Sequence, residues 1–239
     1  MIARPLAAAA LAGLLAAACS AAPEPSSDRE HPSLGLMTTL PLVWAEAPDI
    51  GELLQSQSSG GWVRQELEQR FTLEPLDTLD AASLARLDRL VLAQPRPLTP
   101  EENVALDAWV RGGGRLLLFA DPMVTRPSRY PVGDRRRPQD VVLLSPILAH
   151  WGLELMFDAE QGEGERAVAI DGASVAVDLA GSFKLAPEAP CALSGGGVLA
   201  RCRLGKGEVV VLADAAVLDD PESEQRRAAL SHLLALAFD

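Results

Sequence analysis

The chain has 239 residues, of which 48% are hydrophobic and 23% charged, and its 33 acidic against 21 basic side chains give a formal charge of −12. That apolar content supports one large globular domain or two small ones and excludes a disordered or fibrous chain. The excess of acid argues against nucleic acid as a partner, because a phosphate backbone is gripped by basic surface.

The N-terminus MIARPLAAAALAGLLAAAC has a lone Arg4, an apolar run from Leu6 to Leu15, and three alanines before Cys19. This is the layout of a secretory signal peptide over residues 1–19, too short for a comfortable membrane span. A cysteine directly after small residues resembles the lipobox of bacterial lipoproteins, which implies lipidation at Cys19 and attachment on the periplasmic side of the cell envelope. By the same resemblance, Ser20 favours the outer over the inner membrane. Residues 20–33, rich in Pro, Ser and charge, read as a flexible tether with a reach of about 20 Å.

From Leu34 the run LGLMTTLPLVWAE predicts a buried first strand, followed by a loop through Gly61. WVRQELEQR, from Trp62 to Arg70, predicts a short helix with one charged face. FTLEPLDTL suits a second strand, DAASLARLD a short helix or turn, and RLVLA a third strand. The clearest local signal is LTPEENVALDAWVRGGG: Thr99 as N-cap, Pro100 at the first helical position, Glu102 completing a capping box, and Gly112 ending the helix. Leu106, Trp109 and Val110 then face a core.

Leu116 to Ala120 is a continuous apolar strand of the kind covered on both faces in a parallel sheet. A long Pro- and Arg-rich loop, residues 122–140, precedes a helix predicted over SPILAHWGLEL. Short strands follow around AVAI and SVAVDLA, then a cysteine hairpin, the apolar strand VVVLA, and a closing amphipathic helix SEQRRAALSHLLALAF. Strand–helix–strand alternation with short connections predicts one α/β domain over residues 34–239, its sheet mainly parallel, with helices on both faces and a small antiparallel addition.

Two phrases repeat a pattern: GGGRLLLFADP from Gly112 and GKGEVVVLADA from Gly205. Each ends its strand in Ala-Asp, and ligands of open parallel sheets gather beyond strand carboxyl ends, so Asp121 and Asp214 are candidate partners in one site. Paired carboxylates there would act as acid and base or grip a cation. The other reading is structural: Asp121 fixes its turn and Asp214 caps the segment after it, since aspartate accepts from free backbone N–H groups at such corners.

Arg126, Arg129, Arg135, Arg136 and Arg137 crowd one loop of an acidic protein. Either they form an anion- or partner-binding site, since guanidinium forks suit carboxylates and phosphates, or they pair with local acid on a solvated loop. Cys191 and Cys202 face each other if Gly196-Gly197 makes a two-residue turn, and then either bridge or lie reduced in adjacent strands. His31, His150 and His232 are scattered and read as surface or packing residues. The sequence carries no G-x-S-x-G, Walker A or zinc spacing, and GGG and GKG precede their strands, so both read as turns; no metal or cofactor is expected.

The run LVLAQPRPLTPEENVALDAWVRGGGRLLLFADP, with GKGEVVVLADAAVLDD far downstream, resembles the auxiliary proteins of the gliding-motility (Gld) type of ABC transporter. That resemblance implies a class I glutamine amidotransferase-like fold, a flavodoxin-like sheet. Class I amidotransferases place a nucleophilic cysteine in the turn after the strand that corresponds to Leu116–Ala120, where this chain has Asp121-Pro122. The expectation is a non-catalytic envelope lipoprotein, a binding or scaffolding module accessory to an ABC-type transport system, with a permease or other envelope protein as partner. The alternative is a periplasmic hydrolase working through Asp121 and Asp214.

Overall fold

The structure, a computed structural model, describes Met1, residues 31–43 and residues 61–239, and His31–Asp239 form one compact unit. The expected signal peptide after Met1, Cys19 and most of the expected tether lie outside the described residues, as does most of the loop before Trp62. Five parallel strands make the heart of the sheet: β1 (Ser33–Thr38), β2 (Thr72–Pro75), β3 (Arg89–Ala93), β4 (Arg115–Phe119) and the late strand Gly207–Leu212. Their spatial order, second, first, third, fourth, fifth, is the flavodoxin-like order.

Between them in sequence run α1 (Trp62–Glu68), α2 (Ala81–Leu84), α3 (Pro100–Gly112) and α4 (Ser145–His150). Strands β5 (Leu153–Met156) and β8 (Ser182–Leu185) pair with each other, as do β6 (Arg166–Ile170) and β7 (Ala173–Val177). Antiparallel β9 (Cys191–Ser194) and β10 (Leu199–Leu204) extend the main sheet beside β11, the Gly207–Leu212 strand, and α5 (Glu224–Phe238) closes the chain. The antiparallel addition is therefore an extended edge plus two separate ladders.

Alternation along the central strands feeds two cores. Leu34, Leu36, Val91, Leu117, Phe119 and Val210 face α1 and α5, whereas Leu90, Leu92, Leu116, Leu118, Val209 and Val211 face α2, α3 and α4. Successive side chains of a strand point to opposite faces, so an unbroken apolar run requires a helix layer on each side. Helices do cover both faces.

The α3 capping box is complete: Thr99 Oγ1 accepts from Glu102 N at 3.2 Å, and Glu102 Oε2 accepts from Thr99 N at 2.9 Å. Glu102 also accepts from Leu79 N and from both terminal nitrogens of Arg96, which hold its carboxyl down at about 2, against the cost of burial. The helix includes Gly112, and it is Gly113, at φ 128°, that leaves it. The strand openings then need glycine: a Cβ on Gly207 would sit 2.0 Å from Val110 O.

Three expected elements are trimmed. The first strand ends at Thr38, where Thr38 Oγ1 accepts from Leu40 N and turns the chain, and the second keeps only Thr72–Pro75. The helix expected over SPILAHWGLEL stops at His150, because Gly152 takes φ 81° and LELM continues as β5. Periodicity alone does not separate a short apolar strand from a helix end.

The cysteine hairpin is joined by Gly195–Val198, longer than a two-residue turn, yet its register sets Cys202 opposite Cys191. The two are linked as a disulfide with Cα atoms 4.0 Å apart. Among the described residues no helix is long and apolar enough to cross a membrane.

Candidate functional site

Because β4 and β11 are parallel neighbours with Phe119 opposite Leu212, the chain continues into Asp121 and Asp214 at adjacent strand ends. The structure brings the two aspartates together, and both are buried, at 3% and 0% exposure. Their oxygens are occupied by backbone. Asp121 Oδ1 accepts from Met123 N at 2.8 Å and Oδ2 from Ala215 N at 3.1 Å, so it crosses to the neighbouring strand's loop. Asp214 Oδ1 accepts from Ala216 N at 2.7 Å and Oδ2 from Asp178 N at 2.9 Å, tying in the end of β7.

Burial dominates the electrostatics. It raises Asp121 to about 7 against the pull of its two N–H donors, and it raises Asp214 well above the usual carboxylate range, with the charge of Asp121 adding to the effect. Two neighbouring acids in a dry site do not both ionise easily. The pair is thus a buried clasp between loops, its oxygens turned to backbone N–H groups.

Gln94 belongs to the same clasp, although no sequence motif marks it. It is fully buried, sits at φ 46°, donates through Nε2 to Asp121 O and Gln139 O, and accepts at Oε1 from Asp121 N. Thr39, just past β1, donates to Gln94 O and accepts from Gln139 N. A polar glutamine closing the apolar RLVLA run was the available signal, since a buried amide must find partners.

Beside the clasp lies a polar cleft of about 420 Å³, bordered by Arg126, Arg226, Glu165, Asp178, Asp219 and Asp220. Arg126 lies 2.8 Å from Asp220 and 3.6 Å from Asp219, and Arg226 pairs with Glu165. Burial lifts Asp219 to about 6, opposed by Arg126 and Arg226. With carboxylates already on both guanidiniums, a small anion would have to displace them.

The other loop arginines are placed apart from the cleft lining. Arg136 pairs with Asp134 at 2.7 Å and stacks 4.3 Å from the Tyr130 ring centre. Arg137 makes a fork to Asp140 and donates to Tyr130 O at 2.7 Å. Arg129 and Arg135 are exposed. His150 lies 3.3 Å from Asp107 on α3, and His31 and His232 sit at the start of the described chain and on α5, so the three histidines do not converge. Among the described residues no group of three or more His, Cys, Asp or Glu is arranged to hold a metal ion.

No curated protein matches the sequence. Among solved structures, the chain is similar to Gan42B, a GH42 β-galactosidase from G. stearothermophilus, with a TM-score of 0.51 at 14% identity over 86% of this chain and 30% of that one. It is also similar to the exo-β-1,4-mannosidase Op5Man5 from Opitutaceae bacterium strain TAV5, with a TM-score of 0.50 at 14% identity over 86% of this chain and 36% of that one. A ThuA-like protein from Bacteroides uniformis aligns over 90% of this chain and 94% of its own, with a TM-score of 0.48 at 12% identity. The chain spans about a third of the length of the two sugar hydrolases, and likeness at such identity speaks to fold alone. The family of ABC-transporter auxiliary proteins, described as an ABC-type uncharacterized transport system, matches residues 31–171, from β1 through the capping box, Asp121 and the arginine loop to the end of β6, and the chain belongs to that family.

Proposed function

We propose that this protein is a non-catalytic binding module accessory to an ABC-type transport system, held at the periplasmic side of the envelope by lipid on Cys19. Family membership supplies the transport context. The observation that carries the non-catalytic part is the state of the strand ends: all four oxygens of Asp121 and Asp214 accept backbone N–H groups. A general acid or base needs a face turned to its substrate. The turn that holds the nucleophile in amidotransferases is filled by Asp121-Pro122, and Pro122 is buried beside it.

The test is cross-linking followed by affinity purification of the full chain from gently solubilised membranes, with partners identified by mass spectrometry. A permease or ATPase component recovered reproducibly is the expected result; recovery of no transport component overturns the reading. Replacing Cys19 with serine should release the protein from the membrane fraction. Continued sedimentation of that variant with membranes would remove the lipid-anchor part of the proposal.

A further inference from the structure

The parallel part of the sheet has two unlike ends. The clasp and the polar cleft lie at its carboxyl end, and cations collect at its amino end. The turns that open β3, β4 and β11, residues 85–89, 111–115 and 203–208, hold six basic side chains, Arg86, Arg89, Arg111, Arg115, Arg203 and Lys206, against Asp88 and Glu208. Register sets them in a row across four adjacent strands: Arg89 opposite Arg115, Arg115 opposite Glu208, and Glu208 opposite Arg203. On a chain of charge −12 this end is a basic island.

Part of that charge is already matched. Arg111 lies 2.8 Å from Asp107, Arg115 donates to Phe238 O, and the largely exposed Arg86 is 3.9 Å from Glu74. Glu208 is itself taken by Arg201, and among the described residues no ion pair reaches Arg89, Arg203 or Lys206. Arg203 and Lys206 are exposed where β10 turns into β11. Glu188 before β9 and Asp239 after α5 are further carboxylates near this end, and the balance stays basic.

The described chain also begins here. β1 opens at the same end, where Thr72 N donates to Pro32 O and Thr72 Oγ1 to His31 O. Cys19 is 12 residues before His31, and a tether of that length reaches about 20 Å. β3, β4 and β11 are five or six residues long, which sets the carboxyl end about 17–20 Å further on. That is about two Debye lengths at physiological salt, so a surface meeting the amino end feels the basic turns and is screened from the acid beyond them.

We infer that the amino end of the sheet is a membrane-facing surface that rests on the phosphate headgroups of an anionic bilayer. This rests on the lipid-anchor part of the proposed function and adds which way the domain faces: the clasp, the cleft and the arginine loop are turned away from the lipid. The anchor keeps a bilayer within reach of this end, which favours headgroups over an acidic protein as the source of the anions. Gly112, Gly113 and Gly205 are exposed at the turns, so no bulky side chain there holds the cations off a flat surface. Among the described residues no exposed large apolar side chain belongs to these turns, so the contact is electrostatic and salt should abolish it.

The probe is a vesicle of phosphatidylglycerol and phosphatidylcholine in equal parts, with pure phosphatidylcholine as control. It is floated with the chain from Ser20 onward, which keeps the whole compact unit His31–Asp239 and omits the lipidated cysteine. Binding is expected on the anionic vesicles alone at about 20 mM salt and should vanish at about 300 mM. Arg203→Glu with Lys206→Glu should weaken it about tenfold, whereas Arg135→Glu with Arg136→Glu, an equal change of charge on the carboxyl-end loop, should leave it within about twofold. All four side chains are exposed, and matching melting temperatures check that both variants fold.

No binding to anionic vesicles at low salt, equal binding to the neutral control, or equal weakening by the two variants overturns the membrane-facing surface. Weakening in the loop variant alone assigns the opposite end to the bilayer and overturns it too. Release of Cys19→Ser from the membrane fraction together with failed vesicle binding keeps the anchor and removes only this surface, so the two readings fail separately.

Discussion

At the scale of single residues, two buried carboxyl groups respond to pH in opposite directions. Asp121 is raised to about 7, so the folded state holds its proton more tightly than the unfolded chain. Its stabilising contribution is fully present below about 4 and is lost as pH rises toward 7, amounting to at most about 4 kcal/mol. Thermal denaturation should therefore show a decline in stability across that window, and Asp121→Asn should make it shallower, the remainder coming from buried Asp214. The substitution should also cost about 1–3 kcal/mol, because an amide has one acceptor oxygen where two N–H groups need one each. A wild-type profile that rises from pH 5 to pH 7, with no change in the variant, would sink this account.

Glu102 is the converse case. Its carboxyl is held at about 2, first by Arg96, so its contribution is present above about 4.5 and is lost as pH falls toward 2. Glu102→Gln should cost about 2–3 kcal/mol at neutral pH, and the gap to wild type should close on acidification. Urea titrations at pH 7 and pH 3 measure both ends. A gap of the same size at pH 3 would mean that packing, not charge, is what the glutamate supplies.

At the scale of elements, close approach and covalent closure are the terms to test. Gly207 begins β11 against the end of α3, where any Cβ would overlap Val110 O. Gly207→Ala should therefore destabilise by more than about 2 kcal/mol, through displacement of the helix end rather than through glycine propensity. Gly112→Ala is the control, since a Cβ there meets nothing within 4 Å, and it should leave the melting temperature almost unchanged. The disulfide links neighbouring strands across 11 residues of sequence, and closing a short loop of that order contributes about 2–3 kcal/mol. Melting with and without reductant should differ accordingly, and the Cys191→Ser, Cys202→Ser variant should ignore reductant.

At the scale of the whole molecule, stability is expected to be graded from the middle of the sheet outward. β3, β4 and β11 are flanked by strands and covered on both faces, whereas the loop of residues 122–143 pairs mainly within itself. Hydrogen exchange should be slowest in β4 and β11 and fastest in that loop. Slow exchange through the loop in the isolated protein would overturn this gradient.

Much of this architecture was legible in the chain itself. Apolar runs such as RLVLA, RLLLF and VVVLA required a sheet covered on both faces, and the Thr99–Glu102 spacing required a capped helix, because these signals act over a few residues. The aspartates could be placed at strand ends from the same runs, but not assigned partners. Which N–H groups reach them was not legible: Ala215 comes to Asp121 across 94 positions of sequence, and Asp178 to Asp214 across 36. Burial and hydrogen bonding of that kind arise only when distant segments pack, as does the buried role of Gln94. Local periodicity set the layers and their caps, whereas the hydrogen bonding of the strand-end carboxylates came only with the packed fold, because it depends on long-range backbone donors that no local pattern encodes.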